Sequence, residues 1–150
     1  MADHVRGLEA GDHAALVAAP PILFLLENKG YRSLTELSLH FPGTASHGML
    51  ATADTIAKRR PLVEAMVRGY ARGVAALKSD REAAVDFIAH RFKLEPALAV
   101  RCYDVLKDLW TAELSPDTLR SEIDFQARTL GRSPIEIESI ADSQFAAAIR

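Results

Sequence analysis

Five histidines (His4, His13, His40, His47 and His90) and the single cysteine, Cys102, are the side chains best suited to metal ligation or nucleophilic chemistry. No two of the histidines stand at a ligating spacing such as His-Glu-x-x-His, so no metal site is expected. His13 lies on a run of small apolar residues, where an imidazole is more often a hydrogen-bonded core or rim group than a ligand. His47, next to Gly48, is a candidate for the border of a cleft, with a plain surface loop as the alternative. Cys102 shares a helical apolar face with Leu98, Val105, Leu106 and Leu109, which favours a structural thiol over a nucleophile. The sequence holds no Gly-x-Ser-x-Gly elbow, phosphate-binding glycine loop or Gly-x-Gly-x-x-Gly fingerprint, and Asp12 and Glu9 do not nominate themselves as an acid/base pair. Neither an enzyme nor a bound cofactor is expected.

The remaining candidate is a turn, Ala18-Ala19-Pro20-Pro21. In open α/β folds small ligands sit outside the carboxyl ends of strands, where side chains give way to a loop and a helix N-terminus. Free N–H groups of the first helical turn, here Ile22 and Leu23, are able to receive an anionic or polar group. The alternative is a plain strand-to-helix corner.

The elements that would position this turn read as follows. Asp3 to Ala10 is helical and stops at Gly11; His13 to Ala19 suits a buried strand; Pro20-Pro21 opens a helix through Asn28, with Gly30 as a left-handed stop. Tyr31 to Leu37 and Gly48 to Thr52 are further strand candidates, separated by a Pro42-Gly43 loop. From Asp54 the pattern is helical. Pro61 to Lys78 carries Val63, Met66, Val67, Tyr70, Val74 and Leu77 as one stripe, and Ser79-Asp80-Arg81-Glu82 has the form of a capping box for a helix to Phe92. Pro96 starts another helix. Ser115-Pro116 starts the next, with Leu119, Ile123, Ala127 and Leu130 inward and Gly131 at its end, and a last short helix follows Asp142-Ser143. The expected fold is therefore α/β, with short parallel strands followed by a mostly helical region. Parallel strands need covered neighbours, so the segment reads as beginning partway through an α/β unit.

With 150 residues, 49% of them hydrophobic and 25% charged, the chain has the balance of a soluble globular protein with one core. Its net charge is −2, and the one dense basic run, Lys58-Arg59-Arg60, suits a helix end better than a phosphate site, so no nucleic-acid partner is expected. One cysteine permits no internal disulfide, and neither a signal peptide nor a membrane span is legible.

Several stretches together resemble a family. Gly11-Asp12-His13-Ala14-Ala15-Leu16-Val17-Ala18-Ala19-Pro20-Pro21, then Gly30-Tyr31-Arg32-Ser33-Leu34, resemble the alanine-rich strand, proline loop and Gly-Tyr-x-x-Leu of ABC-importer substrate-binding proteins for nitrate, sulfonates, taurine or thiamine-type pyrimidines. Pro61-Leu62-Val63-Glu64-Ala65 with Tyr70-Ala71-Arg72-Gly73, Asp80-Arg81-Glu82-Ala83-Ala84, Leu94-Glu95-Pro96 and Asp142-Ser143-Gln144-Phe145 continue the likeness in the family's order. At His13 the sequence departs from the aspartate that many relatives carry.

The resemblance implies the C-terminal half of a type II periplasmic-binding-protein fold. Residues 1–45 would end the smaller lobe, 46–53 would form the crossing strand, and 54–150 would supply the helical part of the first lobe. It implies capture of a small solute, with Ala18, Ala19, Pro20, Pro21 and His47 as ligand-binding candidates, and an ABC permease as partner. Full-length relatives are periplasmic. The alternative function is a stand-alone helical protein-interaction domain. The isolated chain is expected to bind solutes weakly and to associate, as a homodimer or more loosely, through uncovered strand edges and apolar patches.

Overall fold

A computed structural model describes residues 2–40, 47–113, 115–142, 144 and 145. Seven α-helices occur among them: α1 (Ala2–Ala10), α2 (Ile22–Asn28), α3 (Ala53–Lys58), α4 (Arg60–Ser79), α5 (Arg81–Phe92), α6 (Pro96–Leu106) and α7 (Pro116–Leu130). Short 3₁₀ turns cover Leu37–Leu39 and Ile137–Ser139.

This architecture overturns the α/β expectation. The structure is all-helical, 64% helix with no strand and no sheet among the described residues. The segments His13–Ala19, Tyr31–Leu37 and Gly48–Thr52, read above as strands, form no ladder; Leu37 instead opens a 3₁₀ turn. A strand exists only if a neighbour accepts its backbone hydrogen bonds, and these segments have none. The His13–Ala19 run also contains four alanines, which bury little surface and are poor strand formers. Leu16 is only half-buried and Val17 is 71% exposed, and Leu34 and Leu50 in the other two segments are 70% and 97% exposed. Thr52 serves a helix instead, its Oγ1 accepting the Thr55 N–H as the N-cap of α3. The Pro42-Gly43 loop, Ser46 and Ser143 lie outside the described residues.

Contacts divide the chain into two units, one of residues 1–34 and 85–106, the other of residues 35–84 and 107–150. In the first unit Phe24 and Leu26 of α2, Ile88 of α5, and Ala99, Cys102 and Tyr103 of α6 are buried. Arg101 lies with its guanidinium 3.8 Å from the Phe24 ring centroid and bonds Glu27 at 2.8 Å, so one side chain both covers an aromatic face and pairs a carboxylate. Lys29, at the end of α2, is held by Glu9 of α1, and that carboxylate raises the lysine pKa.

In the second unit Val63, Ala84, Ile123, Ala127 and Phe145 are buried. The expected α4 stripe is only partly covered: Val67, Val74 and Leu77 are half-buried, whereas Met66 and Tyr70 face solvent. Likewise Leu130 is exposed at the end of α7. Arg60 donates to Glu64 at 3.0 Å and to the Gln144 side chain at 3.1 Å, and sits 4.8 Å from the Phe145 ring centroid. Lys58 pairs with Asp54 at 2.6 Å in the last turn of α3. The basic run is thus engaged in intramolecular contacts at both of its ends.

Helix ends follow the expected chemistry. Gly11, Gly30 and Gly131 take left-handed φ of 83°, 91° and 61°, and Ser115 Oγ accepts the Thr118 N–H. One cap sits a residue later than read: Asp80, not Ser79, accepts the Ala83 N–H at 3.0 Å, while the Ser79 hydroxyl donates back to the Ala76 carbonyl inside α4. Asp80→Ala is therefore expected to cost about 1 kcal/mol in urea unfolding. Ser79→Ala should be close to neutral, and equal losses would contradict the assignment.

Candidate functional site

The chain folds back on itself directly after α1. Gly11, at positive φ, donates to the Leu8 carbonyl at 3.2 Å, and the Asp12 and His13 amides both reach the Gly7 carbonyl, at 2.8 and 3.1 Å. This turn lays the His13 ring against α1. A Cβ on Gly7 would lie 2.5 Å from His13 Cδ2 and Nε2, so a larger residue there would push the imidazole out of its present position. His4 stands on the same helix one turn before Gly7, and its ring centroid is 6.1 Å from that of His13, the planes tilted by 38°.

His4, His13, Ala15, Leu16 and Val17 together line an open recess of about 400 Å³. The recess is shallow, since of its lining residues only Leu16 is half-buried and the other four are exposed. The Ala18-Ala19-Pro20-Pro21 turn follows without a break. Ala18, Pro20 and Pro21 are half-buried and Ala19 is exposed; the Pro20–Pro21 peptide is cis. α2 starts at Ile22 with Pro21 as its N-cap, so the two prolines precede the helix instead of forming its first turn. The Leu23 amide, however, donates to the Ala19 carbonyl at 3.2 Å, and Leu25 donates to Pro21 at 3.0 Å. The Leu23 donor is thus used in closing the turn, and a seven-residue helix offers little dipole for an anion.

His47 is exposed and falls in the second unit, whereas Ala18–Pro21 falls in the first. His40 meets the Thr35 hydroxyl at 2.9 Å, and His90 Nδ1 meets the Asp86 carbonyl at 2.8 Å, so both are bonded locally. The sequence reading named His4 among the five histidines but gave it no site. Its partner stands nine positions away, and only Gly11 as a turn and Gly7 as a gap could have signalled that the two rings meet. Among the described residues no group of three or more His, Cys, Asp or Glu side chains could hold a metal ion, and no helix is long and apolar enough to cross a membrane.

No family model, curated protein or solved structure matches the chain.

Cys102 is buried in α6, and desolvation pushes its thiol pKa up, the reverse of what activates a nucleophilic cysteine. A folded-state value above the unfolded one contributes stability that is complete below the unfolded value and is lost as pH rises through the folded value. The urea midpoint should therefore fall more between about pH 7 and pH 10 for the parent chain than for Cys102→Ala. Equal falls in the two chains would show that Cys102 does not titrate in this way.

Proposed function

We propose that the chain belongs to the solute-binding component of an ABC importer, taking a small organic anion such as a sulfonate or a pyrimidine-type compound. The observation that carries the reading is the recess lined by His4, His13 and Ala15–Val17, which runs into the Ala18–Pro21 turn where the family resemblance puts ligand contact. Its apolar wall suits the body of a small solute, and the two imidazoles supply polar edges for a head group. The role is capture without chemistry, with delivery to a permease. The all-helical structure contradicts the α/β fold that the family resemblance implies, so the reading rests on the recess and on the sequence motifs alone.

A second reading has its own observation. Leu62, Met66 and Tyr70 stand at four-residue intervals on α4 and are all exposed, which forms an apolar row of the kind helical interaction domains present to a partner.

Amide NMR titration with methanesulfonate, benzoate and cytosine separates the two. Under the solute reading, amides of residues 13–23 shift with weak affinity, Kd about 1 mM or weaker, and α4 stays unchanged. No shift in 13–23 with any probe overturns it. Concentration-dependent broadening confined to α4, with association in sedimentation, favours the interaction domain.

A further inference from the structure

We propose that His4 and His13 form a two-imidazole site for a borderline divalent transition ion of the zinc type. The site uses the same two imidazoles that line the recess of the solute reading but does not require that reading to hold, because its geometry lies within α1 and the turn that follows it.

Neutral imidazole is the commonest protein ligand for such ions. Two rings bound to one tetrahedral ion, at about 2.0–2.1 Å per Zn–N bond, have centroids about 5 Å apart. The observed separation is 6.1 Å, about 1 Å wider than that, and both side chains are exposed. Three features hold the rings together. The Gly11 turn reverses the chain, the Gly7 carbonyl ties down the Asp12 and His13 amides, and the missing Cβ of Gly7 admits the Nε2 edge of His13 onto the helix face that carries His4.

The carboxylates beside this face have other partners: Asp3 pairs with Arg6, and Glu9 with Lys29. With no third protein ligand among the described residues, water or a small anion completes the shell. The site is therefore an exchangeable one, weaker than sites with three or four protein ligands.

Zinc titration of the whole chain by calorimetry, with ¹H–¹⁵N spectra of the imidazoles, tests the proposal. One ion should bind and shift the His4 and His13 ring signals together. Loss of an outer-shell partner alone costs about ten- to hundredfold, so removing a ligand by His4→Ala or His13→Ala should weaken binding at least that much. His90→Ala should change nothing. Gly7→Ala is the sharpest variant. Alanine raises helix propensity, so α1 persists, yet its methyl displaces the His13 ring, and zinc affinity should drop with helicity kept or increased. If His13→Ala or Gly7→Ala binds zinc like the parent, or if zinc shifts other histidines only, the proposal is wrong.

Discussion

Each helix here satisfies its backbone from within its own segment, and the remaining architecture depends on how those segments end. A helix leaves N–H groups unpaired at one end and C=O groups at the other, and the chain meets that cost with nearby groups. Thr52, Asp80 and Ser115 receive amides at N-termini, while the left-handed Gly11, Gly30 and Gly131 return amides to the last carbonyls. Even Lys93 takes a φ of 54° after α5, so that the Leu94 N–H reaches the Ala89 carbonyl at 3.0 Å. These devices are local, and they fix helix boundaries without reference to distant parts of the chain. What they cannot supply is a partner for extended backbone.

That difference explains what was legible in the residues. Gly30 and Gly131 as helix stops, and Ser115-Pro116 as a helix start, are statements about a few adjacent residues, and the structure agrees with them. The Ser79 capping box failed by one position because serine and aspartate stand side by side, and the aspartate carboxylate is the one that takes the amide. The strands failed for a deeper reason. Whether His13–Ala19 or Gly48–Thr52 is a strand depends on a neighbour that sequence periodicity does not describe, and in this structure the neighbour is missing. Helical stripes were legible in kind but not in extent. Val63 and Ile123 are buried as expected, whereas Met66, Val105 and Leu130 carry the same periodicity and remain exposed.

The candidate site shows the same division. The Ala18–Pro21 turn was visible because prolines punctuate a chain wherever they occur. The recess beside it was not visible, because it arises when a reversal at Gly11 sets one histidine over a gap left by Gly7. Neither glycine carries chemistry of its own. Their joint effect is to convert two ordinary exposed histidines into a pair facing one cavity, which is a tertiary fact written in residues that only make room.

Ordered backbone in this chain is helical and closes locally, a property that native-state hydrogen exchange reads residue by residue. Slow exchange is expected for interior amides of α4, α5, α6 and α7, with amides of residues 14–19 and 47–51 exchanging close to the unprotected rate. Protection of alternate amides in 14–19 and 47–51, comparable to that in the helices, would reveal paired strands and contradict it.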